Sequence, residues 1–481
     1  MDITKNTKVV CTIGPASDTY DKLSSLIDAG MNVMRLNFSH GEYEDHKQKI
    51  ELLRQLEKDK NVIIPIILDT KGPEIRCHKF KDGKATIKRD SIVRISMKEI
   101  LGDETKFSIT YENLFDDVEV GNKIRIDDGN IELDIIEKDF ENRELVTKAR
   151  NTSVIKDRKG VNAPFARLSI PFISKRDEQD LKFGCENNVD YIAASFTRRP
   201  EDILEIKKIL KKYGKPNIGV IAKIENQEGV DKIDDIIDVS DGVMVARGDL
   251  GVEVPLEIVP VIQKQIIEKC RIKGKPVITA TQMLDSMQSR PVPTRAEVSD
   301  VANAILEGTD AVMLSGESAS GEYPVLATEM QAKISQTMEQ YLDYERLAHE
   351  AYDTSEKNNS DAISNSVANT ALLIGAKLIV IMSETGTTPK RISKARPCCP
   401  IICISPRRDV LLQLSMFWGI YGIYVPKLPN LIEEMEVLTL VKARDLNVKT
   451  GEPIILTGAT PAGAKVTNFM KILNANDVTI D

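Results

Sequence analysis

The sequence predicts an α/β protein built on a parallel (β/α)8 barrel, with an inserted all-β domain and a smaller C-terminal α/β domain. Three observations carry this. Eight short apolar, β-branched runs lie between residues 8 and 316, most of them separated by amphipathic stretches. The stretch 73–171, between the third and fourth runs, changes to period-two alternation. Beyond residue 345 the α/β alternation resumes on a smaller scale.

The eight candidate strands are KVVCTIG (8–14), NVMRLNF (32–38), VIIPIILDT (62–70), YIAASF (191–196), IGVIAKIE (218–225), GVMVARG (242–248), PVITATQ (276–282) and AVMLSG (311–316). Helical patterns follow, as in 201–214 and 256–274. The helix expected over 294–308 opens with Thr294 and Glu297 at capping-box spacing. Eight strands favour a closed barrel over the runner-up, an open doubly wound sheet. Within the insertion, NKIRID (122–127) and IELDII (131–136) flank DDGN (127–130), a tight hairpin turn. The expected division is a barrel domain (1–72 and 172–345), an inserted β domain (73–171) and a C-terminal domain (346–481). In the last, after a polar linker at 352–361, helices are expected at 361–375, 388–396, 409–419 and 430–445. Strands are expected at 377–383, 400–405 and 422–426, and near 453–457 and 465–472.

The 481 residues are 42% hydrophobic, enough for a large core and against global disorder. The net charge of −8 does not steer the chain toward nucleic acid or an anionic membrane. Seven scattered cysteines without CxxC spacing argue against a disulfide framework or zinc knuckle and fit a reducing cytoplasm. The N-terminus lacks a signal-type apolar core, and no apolar run approaches the roughly 18 residues of a membrane span.

Barrel enzymes carry their chemistry at the C-terminal strand ends. Here those ends read Arg35-Leu36-Asn37-Phe38-Ser39-His40, Asp69-Thr70-Lys71-Gly72-Pro73-Glu74-Ile75-Arg76, Lys223 with Glu225, Arg247-Gly248-Asp249, Thr279-Ala280-Thr281-Gln282 and Ser315-Gly316-Glu317. Lys223 and Glu225 share one face of a strand. Alone they would be an ordinary ion pair, but so many polar groups at one mouth form a ring. Glu225 and Asp249 suit a hard divalent cation that retains water and takes substrate oxygens. No histidine cluster suggests zinc. Arg35, Arg76 and Lys223 supply charge for a phosphate or carboxylate. Gly248 and Asp249 precede a helix expected near Pro255, whose free N–H groups suit a carboxylate. Asn37, Ser39, Asp69 and Thr70 offer oxygen ligands; a second hard cation and a hydrogen-bonded polar cluster are both open readings.

Eight motifs, CTIGPAS (11–17), RLNFSHG (35–41), LDTKGPEIR (68–76), KIENQEG (223–229), VARGDLGVE (245–253), TATQMLDSM (279–287), PTRAEVSDVANA (293–304) and MLSGESASGEYP (313–324), closely resemble the pyruvate kinase family, in family order. That resemblance implies phosphoryl transfer from phosphoenolpyruvate to ADP, giving pyruvate and ATP. It implies that Glu225 and Asp249 bind magnesium or manganese, and that Lys223 stabilises the transferring phosphoryl group. Arg35 would grip the substrate phosphate, and Gly248, Asp249 and Thr281 would line the pyruvate side. Asn37, Ser39, Asp69 and Thr70 would hold potassium, a dependence that goes with Glu74. Arg76 and Lys159 would approach the nucleotide phosphates, with His40 near the nucleotide. The family also implies a TIM barrel with a lid, a cytoplasmic homotetramer and a phosphorylated small-molecule effector. For the proton delivered to the enolate, Thr281 acting through water, with Ser315 and Glu317, is a better candidate than Lys223.

The chain departs from the family pattern at KGVNAPF (159–165), where KGVNLPG is usual, and at SKRD (174–177), where SEKD is usual. Both bear on lid motion. SETGTTPKRIS (383–393) resembles the family's effector-phosphate loop, and TPAGAKVTNFMKI (460–472) partly matches its partner. Helix capping alone would also explain the former. Two other readings are a barrel mutase or aldolase acting on the same substrates, and a metabolite sensor without turnover. The first has no need of Arg76 and Lys159, and the second no need of Lys223, Glu225 and Asp249.

Overall fold

The computed structural model describes residues 3–460 and 467–475. The eight strands expected for the barrel form a closed parallel barrel. They are Lys8–Thr12, Val33–Asn37, Ile66–Asp69, Tyr191–Ala194, Gly219–Ile224, Gly242–Ala246, Val277–Ala280 and Ala311–Leu314. The ring closes where the first strand pairs with both the second and the last. Alternation along each strand divides the core. Val9 and Cys11 face the surrounding helices, whereas Val10, Val33, Ile67, Ile221 and Met244 fill the barrel interior.

The capping box expected at Thr294 and Glu297 starts the helix Arg295–Leu306, and Ser174 with Asp177 forms another at Lys175–Glu186. The second explains why the altered SKRD still works as a helix start: the Ser and Asp that cap are retained. Between the third and fourth barrel strands lie a seven-stranded and a two-stranded sheet with their own core. The hairpin expected at 127–130 joins Lys123–Ile126 to Ile131–Asp139. Asp127, Asp128 and Gly129 all take positive φ there.

The C-terminal domain is a five-stranded sheet of four parallel strands and one antiparallel edge strand. Two elements differ from expectation. The helix expected over 409–419 stops at Leu414, and the following strand starts earlier, at Ile420–Tyr424. The cause is tertiary. Gly419 adopts φ +72°, and the Trp418 amide is held by the Asp310 carboxylate at 3.0 Å. The last strand is Phe469–Asn474; 465 and 466 of the strand expected near 465–472, and 461–466 of the loop 460–472, lie outside the described residues. No helix among the described residues is long and apolar enough to cross a membrane, and no described cysteine is in a disulfide.

This domain closes the N-terminal end of the barrel. One hydrophobic cluster runs from Val10 and Met244 inside the barrel to Ile401, Leu411 and Phe417 beyond it. Across the seam, Lys8 Nζ donates to the Ile420 carbonyl at 2.6 Å. Arg396 pairs with Asp310 at 2.8 Å and donates to the Gly308 carbonyl, with both charged side chains 3% exposed. A buried pair of this kind is costly to break from one side. Asp310→Asn is therefore expected to destabilise the seam by about 3–5 kcal/mol, lowering the thermal midpoint. A midpoint equal to the parent's would contradict that.

Candidate active site

The barrel strands deliver one continuous polar circuit at their C-terminal ends. Its centre is Asp69, at the end of the third strand and 1% exposed. Arg35, one strand away, donates to Asp69 Oδ2 from Nε and NH2, both at 2.7 Å. Oδ1 accepts from Lys223 Nζ at 3.1 Å and Ser195 Oγ at 3.0 Å. Lys223 also donates to Ser195 Oγ at 2.7 Å and pairs with Glu225 at 2.9 Å. So Lys223 and Glu225 do form an ion pair, within a larger network.

Electrostatics follow from this packing. Burial would raise the Asp69 carboxyl, but Arg35 and Lys223 outweigh it and hold it below its ordinary range. Burial would lower the Lys223 ammonium, but Asp69 and Glu225 raise it above its ordinary range. It therefore stays charged through neutral pH. Burial pushes the Glu225 and Asp249 carboxyls up; Lys223 opposes this in both, and the charge of Asp249 adds to the rise in Glu225. Two carboxylates that disfavour charge together are short of a cation. That fits a divalent ion held by these two and by substrate oxygens. Among the described residues no group of three or more His, Cys, Asp or Glu side chains is arranged to hold a metal by itself.

The circuit continues round the mouth. A short helix, Arg247–Glu253, starts directly at the sixth strand end, so Gly248 and Asp249 lie in its first turn rather than ahead of a helix near Pro255. The Gly248 amide donates to Thr281 Oγ1 at 2.7 Å. The Thr281 hydroxyl donates to the Ala280 carbonyl at 2.6 Å, and Arg247 NH2 donates to the Thr281 carbonyl at 2.7 Å. Thr281 and Gln282 sit at φ +68° and +53°, unusual for a β-branched residue and a sign of imposed geometry. Glu317 accepts from the Ser315 and Leu284 amides at 2.8 and 3.1 Å, which ties the seventh and eighth strand ends together. Thr12 Oγ1 accepts from Arg35 NH1 at 2.8 Å and donates to the Leu314 carbonyl at 2.9 Å, which closes the ring.

Of the expected cation-binding quartet, Asn37 and Asp69 are register partners on adjacent strands. Asn37 Oδ1 accepts from the Ser39 amide at 3.1 Å, and Thr70 Oγ1 donates to the Ala193 carbonyl at 3.2 Å. Arg76 pairs with Glu74 at 2.6 Å, and its Nε is buried with no partner among the described residues. Lys159 pairs with Asp127 at 2.6 Å. The side chain of His40 is exposed, and its carbonyl accepts from the His46 ring. Arg76 ends one strand of the inserted sheet and Lys159 immediately precedes its neighbour, Gly160–Asn162, where Gly160 registers with Arg76. A cleft of about 420 Å³, lined by Glu74, Phe165, Asn226 and Asp249 among others, separates this sheet from the barrel mouth.

Comparison with known proteins now decides the family. A model of the pyruvate kinase barrel domain matches residues 4–328, and one of the pyruvate kinase alpha/beta domain matches 361–473. This chain belongs to the pyruvate kinase family. The pyruvate kinase of Geobacillus stearothermophilus is 47% identical over 475 residues, 98% of this chain and 81% of the relative. That of Staphylococcus aureus strain MRSA252 is 49% identical over 471 residues, 97% of this chain and 80% of the relative. A pyruvate kinase structure from Cryptosporidium parvum superposes with a TM-score of 0.93 at 36% identity, covering 98% of this chain and 96% of that one.

Against the pyruvate kinase pattern, Phe165 replaces a glycine and occupies φ +63°, with 62% of its surface exposed in the cleft. The usual glycine accepts that backbone freely; phenylalanine does so at a cost of about 1–2 kcal/mol. The inserted sheet is nonetheless drawn onto the barrel. Asn162 donates to Glu253 at 2.7 Å, and Arg125 donates to the Val252 carbonyl.

Ser195 and Thr12 were not among the expected site residues. Both sit at strand ends, in YIAASF and KVVCTIG, and reading all eight ends instead of six would have found them. Ser195 is the sole hydroxyl among the described residues that bonds both Lys223 and Asp69. Ser195→Ala is expected to lower turnover about tenfold, the scale of a lost hydrogen bond to a charged group. The fold should be retained. Parent-like kcat would show that Lys223 needs no such support.

Proposed function

We infer that this chain transfers the phosphoryl group of phosphoenolpyruvate to ADP, giving pyruvate and ATP, the closing step of glycolysis. The observation that carries the reading is the buried Arg35–Asp69–Lys223–Glu225 network at one barrel mouth, with Asp249 beside it. In this reading the chain divides into a catalytic barrel (1–72 and 172–345), a lid (73–171) and a C-terminal domain (346–481) that could take a phosphorylated effector. The expected assembly is a cytoplasmic homotetramer.

Arg35 and Lys223 supply fixed positive charge for the substrate phosphate, pre-aimed by Asp69. Gly248, Asp249 and Thr281 line the pyruvate side, and Arg76, Lys159 and His40 the nucleotide. Glu225 and Asp249 would hold magnesium or manganese; when bound, that ion supplies Lewis-acid neutralisation of charge on phosphoryl and enolate oxygens. Asn37, Ser39, Asp69 and Thr70 would hold potassium. Lys223 is a poor proton donor, because Asp69 and Glu225 hold its proton firmly. Proton delivery to the enolate is assigned to Thr281 through water. Glu317 supports that turn through backbone amides.

A pyruvate-release assay coupled to ADP titration tests the reaction; pyruvate release independent of ADP would indicate a mutase, aldolase or other chemistry. Lys223→Met is expected to lower turnover by about two to three orders of magnitude while substrate still binds. It should retain much of the proton exchange at pyruvate C3. Joint collapse of exchange and transfer would return the proton to Lys223. A second experiment addresses the cations. Activity should require a divalent ion and rise with potassium, and Glu74→Lys should weaken the potassium dependence by placing a fixed ammonium there. Equal activity of the parent in a bulky organic cation would remove the monovalent site.

A further inference from the structure

The seam between the barrel base and the C-terminal domain contains a second cleft, of about 440 Å³, at the opposite end of the barrel from the active site. The barrel side contributes Lys207, Asp241 and Lys275, and the C-terminal domain contributes Lys390, Arg407 and Asp409. Four cations therefore face two carboxylates. The carboxylates are already engaged: Asp241 pairs with Lys207 at 2.9 Å, and Asp409 pairs with Arg407. Lys275 Nζ has only a carbonyl, that of Ser240 at 2.6 Å. Lys390 Nζ has no hydrogen bond or ion pair among the described residues and lies 5.0 Å from the centre of the Phe417 ring.

We propose that this cleft is a binding site for a small phosphate-bearing dianion, held by Lys390 and Lys275. A partly buried ammonium with no carboxylate in direct contact is costly, and a dianion between two of them offsets that cost. Burial lowers the pKa of both lysines; Asp241 opposes this in both without reversing it, while Lys275 lowers that of Lys390 further and Lys207 that of Lys275, so one carboxylate is shared among three ammonium groups. The volume suits a small metabolite. Thr385 adds a hydroxyl to the lining.

This site takes Thr385 and Lys390 from the segment 383–393 but opens toward the barrel, on the other side of that segment from Thr388. Thr388, at the start of the same helix, Thr387–Lys394, turns toward Thr467 and shares a 2.6 Å hydrogen bond with it. Lys390, two residues on, projects from the other face, toward the barrel. The barrel strand Gly219–Ile224 starts at this cleft with Gly219 and carries Lys223 to the active-site mouth.

Inorganic phosphate is the probe, titrated against the full chain at constant ionic strength set with chloride. Equilibrium dialysis counts bound phosphate, and thermal unfolding reads the stabilisation. Lys390→Met and Lys275→Gln should each bind one phosphate fewer per chain than the parent and lose at least half of its phosphate-induced rise in midpoint. Phosphate at the active site cancels in these differences; phosphate held by the loop 383–393 alone would be lost in Lys390→Met but kept in Lys275→Gln, which would overturn the site. Without phosphate, Lys390→Met should be no less stable than the parent. If Lys390→Met does not fold, Lys390→Arg must keep the phosphate while Lys275→Gln loses it. Equal stoichiometry and equal stabilisation in parent and folded variants would overturn the site.

Discussion

The active site hangs on one buried carboxylate. Asp69 receives Arg35 on one oxygen and Lys223 with Ser195 on the other. Taking that charge out of water is affordable only because two cations compensate it at once. In return, Asp69 fixes the positions of both cations before any substrate arrives. A flexible lysine on its own would have to be ordered at the moment of reaction. Here that ordering is built in, which is the condition for electrostatic stabilisation of a developing charge.

The closed barrel makes this economy possible. Parallel strands present all their C-terminal ends at one mouth, so residues far apart in the chain become neighbours. Thr12, Arg35, Asp69, Ser195 and Lys223 come from five strands and are joined by direct hydrogen bonds. The other strand ends are braced by backbone: Gly248 on Thr281, and Glu317 on two amides. Left-handed backbone at Phe196, Thr281 and Gln282 shows where the strands are turned sharply to keep this ring. The insertion after Asp69 stands over the same mouth, and Asp128 of its hairpin is near enough for its charge to act on Asp249.

The opposite end of the barrel is sealed by the C-terminal domain. The continuous apolar cluster and the Asp310–Arg396 pair make the two a mechanical unit. The cleft rich in cations lies on that seam, at the base of a strand whose other end bears Lys223. A barrel base ordinarily serves stability. In this chain its seam also carries four cations against two carboxylates.

By itself the sequence determined the strands, the caps and most of the mouth. Period and β-branching suffice to place short buried strands, because burial on both faces demands continuous apolar runs. Thr294 with Glu297, and DDGN at 127–130, act through neighbours in the chain and so were legible locally. Polar residues at strand ends were equally visible. What it could not determine was which of them touch. That Ser195 bridges Lys223 and Asp69, or that Asp310 catches the Trp418 amide and ends a helix early, depends on strands brought together by closure. Nor could it show that Gly248 and Asp249 lie inside a helical turn, since Arg247 is anchored there by Thr281 from the next strand. Periodicity reports a residue's own burial; pairing across the barrel is a property of the closed sheet, and only the tertiary structure holds it.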